Sequence, residues 1–113
     1  YVADRRLMEN DFGDHSGLTW KEVVTSGERD MLWTTDPWNY VHPSGESLIV
    51  VEARILAFVD TLERDSVIDT HAGPSRMIRG ALLGLGREET LKYHAPHSGV
   101  LRFSAGAETF FGE

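Results

Sequence analysis

The sequence contains no cysteine, which excludes a disulfide scaffold and any metal site built on thiolates. The same absence is compatible with the cytoplasm, where we expect the protein to be located. No apolar run approaches the length needed to cross a membrane, and the start of the sequence does not resemble a signal peptide. We therefore expect no membrane partner.

Basic residues are in deficit: 11 lysines and arginines stand against 18 aspartates and glutamates, which gives a formal net charge of −7. A general nucleic-acid binder needs a basic face to neutralise phosphates, so we expect no nucleic-acid partner. A phosphorylated small molecule is not excluded, because a few local donors can outweigh the overall field. The length of 113 residues suffices for a modest core, and we predict a single domain over residues 1–113.

The stretch SVIDTHAGPSRMIRGALLG, residues 66–84, predicts a strand, a tight turn and a helix. Residues 66–70 are β-branched and apolar enough for a strand covered on both faces. Pro74 suits the first turn of a helix, where its missing N–H would have no partner, and Gly84 or Gly86 would end that helix in a left-handed conformation. Apolar residues recur on one helical face: Met77, Ile78, Ala81, Leu82 and Leu85.

The turn at His71 would lie where ligands commonly bind. In open α/β sheets, ligands sit outside the carboxyl ends of the strands, and the N-terminus of the following helix attracts anions. An imidazole beside an anion can hold a proton near neutrality, so the residues suggest a small anion site. The alternative is a half-buried histidine that is hydrogen-bonded to a backbone carbonyl.

Three carboxylates, Glu9, Asp11 and Asp14, crowd an early loop that Gly13 and Gly17 interrupt. Crowding and partial burial raise the pKa of a carboxyl group, which is what a general acid at neutral pH requires. The alternative is a solvated acidic loop, which is the commoner situation for surface carboxylates.

Metal-ligand residue types occur at plausible spacings: Asp69, His71, His94 and His97. The last two flank Pro96 in a loop, and we predict no metal site and no cofactor.

The rest of the chain predicts further elements. Thr19 and Glu22 match a capping box for a helix over residues 20–26. Residues 47–62 show a regular amphipathic pattern, with Ser47 as the cap. Residues 26–46 form an irregular aromatic-rich stretch, which we expect to pack on the core or to border the site. A short helix is predicted at 87–92. Two strands at 100–104 and 108–111 are predicted to form a hairpin.

Three motifs occur in an order and spacing that resemble the histidine phosphatase superfamily, which includes the cofactor-dependent phosphoglycerate mutases and many small phosphatases. They are LMENDFGDHSGLTW, then GES before the long helix, then DTHAGPSRMIRGALLGL. The resemblance extends over nearly all of the chain. It implies an α/β fold, a three-layer α/β/α sandwich of the phosphoglycerate mutase-like type.

The resemblance also implies a reaction and its residues. In this family one histidine attacks phosphorus, a second histidine and arginines hold the phosphoryl oxygens, and a carboxylic acid protonates the leaving alkoxide. By position, His71 matches the phosphate-holding histidine and Glu9 the general acid, while Ala72 and Gly73 would offer backbone N–H groups to the phosphate. The implied activity is hydrolysis of a phosphorylated small molecule. Hydrolysis is favoured over mutase action because the short middle region leaves little room for the substrate-enclosing insertion of the mutases.

One family motif is missing. The family's amino-terminal strand ends in Arg-His-Gly, which supplies the nucleophile, and no Arg-His-Gly occurs in this sequence. The fold is therefore expected to be incomplete at its amino-terminal side. The nucleophile would come from a preceding segment, a second chain or an element exchanged in a homodimer. The alternative is a catalytically inactive remnant that acts as a binding or oligomerisation module.

Overall fold

The computed structural model describes residues 2–19, 21–22, 35–94, 96 and 98–112. They fall into two compact units, one made of Tyr1–Glu9 and Ile55–Glu113 and the other of Asn10–Arg54. The elements in chain order are short 3-10 turns at Arg5–Leu7 and Gly13–His15, helices α1 (Leu48–Val59), α2 (Ala72–Leu83) and α3 (Arg87–Lys92), and strands β1 (Val100–Ser104) and β2 (Ala107–Phe111). The prediction of a single domain over residues 1–113 stays a prediction.

Helix α1 forms where the amphipathic pattern predicted it. The Ser47 hydroxyl accepts a hydrogen bond from the Val50 N–H at 3.3 Å, which confirms Ser47 as the cap. The helix ends at Val59 rather than at residue 62, because the Thr61 N–H bonds back to the Phe58 carbonyl at 3.0 Å and so tightens the last turn.

Helix α2 begins at Ala72, so that Pro74 lies in its first turn as predicted although the cap is His71 and not Gly73, and it ends at Gly84, one of the two predicted positions. His71 is the N-cap in an extended conformation (φ −117°, ψ 170°), and Gly84 is the C-cap in the left-handed region (φ 67°, ψ 35°). The Leu85 N–H reaches back to the Gly80 carbonyl at 2.9 Å, which closes the helix in the manner of a Schellman motif. The buried residues of α2 are Pro74, Met77, Ile78 and Gly80.

The strand predicted at residues 66–70 is wrong as a paired strand. These residues lie in no helix or strand, and the Val67 side chain is 99% exposed. A strand needs the N–H and C=O groups of a neighbouring strand, and the part of the chain that the structure describes places none beside this segment. The β-branched composition of residues 66–70 therefore favours a strand, but the described part of the structure contains no paired strand there.

The predicted hairpin is confirmed, and its second strand starts one residue earlier than expected. Strands β1 and β2 pair antiparallel, with Val100 opposite Phe111 and Ser104 opposite Ala107. The two turn residues, Ala105 (φ 51°) and Gly106 (φ 77°), both have positive φ, as a type I′ turn requires.

In the second unit, Asn10–Arg54, two loops bond to each other through their backbones. The Asp14 N–H donates to the Pro43 carbonyl at 2.7 Å, and the Glu46 N–H donates to the Asp11 carbonyl at 2.9 Å. Trp38 and Tyr40 are buried, which confirms that aromatic residues of the irregular stretch pack in a core.

The Thr19 capping box is confirmed, since the Thr19 hydroxyl accepts from the Glu22 N–H at 3.2 Å and the Glu22 carboxylate accepts from the Thr19 N–H at 3.3 Å. Most of the helix predicted over residues 20–26 lies outside the described residues, as does the first part of the aromatic-rich stretch, up to residue 34. No helix among the described residues is long and apolar enough to cross a membrane.

Candidate active site

His71 stands at the opening of helix α2. Its backbone is extended, its carbonyl accepts the Ser75 N–H at 2.9 Å as the first bond of the helix, and the residue is exposed. The alternative of a half-buried histidine is therefore wrong. An exposed imidazole beside the positive end of a helix dipole is well placed to meet an anion from solvent.

Glu9 reaches the same helix opening from the beginning of the chain. Its carboxylate oxygen Oε2 accepts a hydrogen bond from the Gly73 N–H at 3.4 Å, and the residue is half-buried. A Cβ at position 73 would collide with the other carboxylate oxygen, Oε1. Glycine at this position therefore leaves the space that the Glu9 carboxylate occupies.

The four predicted site residues thus belong to one unit and surround the first turn of α2. Glu9 contacts it with its side chain, His71 is its N-cap, and Ala72 and Gly73 are its first two residues, whose backbone N–H groups point at its opening. The Glu9 bond of 3.4 Å is long for an N–H···O contact, so a doubly charged anion can compete with the carboxylate for the same donor.

The other carboxylates of the early loop have structural roles or face solvent. The Asp11 carboxylate accepts the Gly13 N–H at 2.9 Å, which stabilises the loop, and Asp14 is exposed. Among the described residues, no group of three or more histidines and carboxylates is arranged to hold a metal ion; His97 of the metal hypothesis lies outside them.

Sequence reasoning missed two polar contacts. The Thr70 hydroxyl donates to the Leu7 carbonyl at 2.6 Å, which links the segment before His71 to the segment before Glu9. In the second unit, the Nδ1 atoms of His15 and His42 lie 3.0 Å apart. The pKa of His42 is lowered from its ordinary value, first by burial and then by the charge of His15. Both contacts join residues far apart in sequence. The one sequence feature that could have indicated the first contact is the threonine hydroxyl directly before His71.

The fold is of the α/β class. The structure is similar to a crystal structure of the alpha-ribazole phosphatase from Shigella flexneri, with a TM-score of 0.75 and 19% sequence identity over 96% of this chain and 58% of that chain. The predicted fold class, an incomplete α/β fold of the phosphoglycerate mutase-like type, is thereby confirmed. This chain spans less than two thirds of the length of that neighbour.

The family follows from the sequence itself. A model of the histidine phosphatase superfamily (branch 1) matches residues 1–111, and the chain belongs to this superfamily. The resemblance noted from the motifs is therefore confirmed. No curated protein sequence gives a significant match to the chain.

Proposed function

We propose that the protein hydrolyses phosphomonoesters of small molecules through a phosphohistidine, with the nucleophilic histidine supplied from outside these residues. The observation that carries the proposal is the Glu9 carboxylate at the helix opening that His71 caps, 3.4 Å from the Gly73 N–H. One acid and one imidazole at a helix N-terminus are among the groups that phosphoryl transfer needs beside a nucleophile.

The proposed reaction has two steps. In the first, the nucleophilic imidazole forms a bond to phosphorus as the bond to the ester oxygen breaks, and Glu9 gives its proton to the departing oxygen, which leaves as an alcohol. In the second, Glu9, now a carboxylate, takes a proton from water as the water oxygen attacks the phosphohistidine and releases inorganic phosphate. His71 and the N–H groups of Ala72 and Gly73 hold the phosphoryl oxygens in both steps.

A second candidate function is a catalytically inactive module that binds a partner or a second copy of the chain. The sequence contains no Arg-His-Gly, and Val67 is exposed within an unpaired segment that has the composition of a buried strand. A homodimer or a complementing amino-terminal segment would cover that segment. The cytoplasmic location and the preference for hydrolysis over mutase action remain predictions.

The test uses the polypeptide as the cell makes it. Purified protein is assayed on phenyl phosphate, and then probed for an acid-labile phosphoryl label on histidine. We expect Glu9→Gln to lower kcat/KM by about 10²- to 10⁴-fold, the usual contribution of a general acid, and His71→Ala to weaken inhibition by inorganic phosphate. The matched control is Glu63→Gln, because Glu63 is an exposed carboxylate of the same unit.

Each outcome decides between the candidate functions. A labelled histidine together with a selective loss in Glu9→Gln supports the phosphatase. An unlabelled protein that hydrolyses nothing supports the inactive module. Activity in Glu9→Gln and His71→Ala equal to that of Glu63→Gln would contradict the assigned roles.

A further inference from the structure

We propose that Thr70 is a positioning residue that sets the separation between Glu9 and His71 through its hydrogen bond to the Leu7 carbonyl. This inference rests on the proposed function, because it concerns how accurately Glu9 is delivered to the leaving oxygen. Thr70 itself touches no substrate in this scheme.

The bond is short and joins the two segments that carry the site. The Thr70 hydroxyl donates to the Leu7 carbonyl at 2.6 Å across 63 positions of sequence, and the contact is partly buried. Thr70 directly precedes His71, and Leu7 lies two residues before Glu9. A change in this contact is therefore transmitted over very few bonds to both site residues.

Leu7 belongs to a turn that is itself firmly held. Asp4 caps the turn Arg5–Leu7 by accepting the Arg6 N–H at 2.9 Å, and its carboxylate pairs with the Arg6 guanidinium at 2.7 Å. That guanidinium also donates to the Ala57 carbonyl at 3.2 Å and lies 5.4 Å from the centre of the Phe58 ring. The turn is thus fixed to the end of α1, and Thr70 attaches the His71 segment to this fixed point.

The segment before His71, residues 65–70, makes few other contacts with distant residues. Within the part of the chain that the structure describes, residues 65–70 lie in no strand and make no other hydrogen bond to a distant residue. The direct contact of Glu9 with α2 is the long bond of 3.4 Å to Gly73. We therefore assign the spacing between the two segments to the short Thr70 bond, rather than to the longer Gly73 bond.

A leaving-group comparison separates positioning from stability. Nitrophenoxide departs from p-nitrophenyl phosphate with little need of a proton, whereas phenoxide, a stronger base, needs the proton of a general acid. A variant that misplaces Glu9 loses activity on phenyl phosphate more than on p-nitrophenyl phosphate. A variant that only destabilises the fold loses both in equal proportion, because the ratio of the two kcat/KM values does not depend on the folded fraction.

The experiment measures that ratio for Thr70→Val, Thr70→Ser and Glu9→Gln in the polypeptide as the cell makes it. The matched control is Thr61→Val, since the Thr61 hydroxyl also donates to a backbone carbonyl at 2.6 Å, but locally, to Phe58. We expect Thr70→Val to lower the phenyl to nitrophenyl ratio by about 10- to 100-fold, as expected for a displacement of roughly 1 Å. Thr70→Ser restores the ratio. Thr70→Val also weakens inhibition by inorganic phosphate, because His71, which follows Thr70 directly, holds the phosphoryl oxygens in the proposed reaction.

The outcomes distinguish the inference from the proposed function. A wild-type ratio in Thr70→Val together with a lowered ratio in Glu9→Gln would overturn the positioning role and leave the phosphatase proposal standing. A wild-type ratio in Glu9→Gln would overturn both, because no acid would remain to be positioned. A ratio lowered equally in Thr61→Val would also overturn the inference, since loss of any hydroxyl bond of that kind would then suffice.

Discussion

Replacing Gly73 by alanine should lower the activity strongly and leave the free energy of unfolding almost unchanged. A Cβ at position 73 would collide with Oε1 of Glu9, and this oxygen is the end of a flexible side chain that can swing away. Gly73 is not among the glycines with positive φ, so alanine fits the backbone. The substitution should therefore expel the Glu9 carboxylate from the helix opening and leave α2 intact.

The two contributions to stability oppose each other. Alanine in place of glycine stabilises a helix by up to about 1 kcal/mol, while removing a carboxylate from a helix N-terminus costs about 0.3–1 kcal/mol. The free energy of unfolding of Gly73→Ala should therefore stay within about 1 kcal/mol of the original. Activity on phenyl phosphate should fall by about 100-fold or more, because the general acid is displaced.

The assay pairs urea unfolding with kcat/KM for phenyl phosphate. The control is Gly86→Ala, because Gly86 also lies at the start of a helix with φ of −70° and a Cβ there would meet nothing within 4 Å. Wild-type hydrolysis of phenyl phosphate by Gly73→Ala would refute the reasoning, since the carboxylate would then be dispensable or located elsewhere. Unfolding of Gly73→Ala would show that Glu9 cannot move aside.

Two further predictions concern stability. Burial and the neighbouring His15 lower the pKa of His42 below its ordinary value of 6.5. Below pH 6.5 the unfolded chain therefore binds more protons than the folded protein, and the free energy of unfolding falls with decreasing pH by up to about 1.4 kcal/mol per pH unit. Urea unfolding at a series of pH values should show a smaller slope for His42→Phe. Ala105 has φ of 51° in the hairpin turn, a left-handed conformation that asparagine adopts more readily than alanine. Ala105→Asn should therefore stabilise the protein by about 1 kcal/mol and raise its melting temperature. An unchanged melting temperature would contradict the assigned turn.

Local signals predicted the elements well because their causes are local. The spacing of apolar residues determines the face that a helix buries, and the caps at Ser47 and Gly84 act within one turn of their helices. The hairpin at Ala105 and Gly106 follows in the same way from a short turn between two apolar runs. The opening of α2 could thus be predicted from residues 66–84.

The contacts that assemble the site could not be predicted from residue chemistry alone. The Thr70 hydroxyl and the Leu7 carbonyl are 63 positions apart, and no periodicity relates positions so distant. The proximity of Glu9 to α2 was implied by the family motifs, whose members place an acid there, and not by the crowding of acidic residues. Asp11 shares that crowding and instead bonds to its own loop.

The misassigned strand connects the fold to the proposed activity. Residues 66–70 have the composition of a strand buried on both faces, yet Val67 is 99% exposed. Burying a valine side chain is favourable by about 1.5–3 kcal/mol, so pairing of this segment with another strand would be stabilising. His71 follows that segment directly, and the Thr70 hydroxyl bonds to the segment before Glu9. We infer that a strand paired with residues 66–70 would hold Thr70 in place, and with it the bond that joins the segment before His71 to the segment before Glu9.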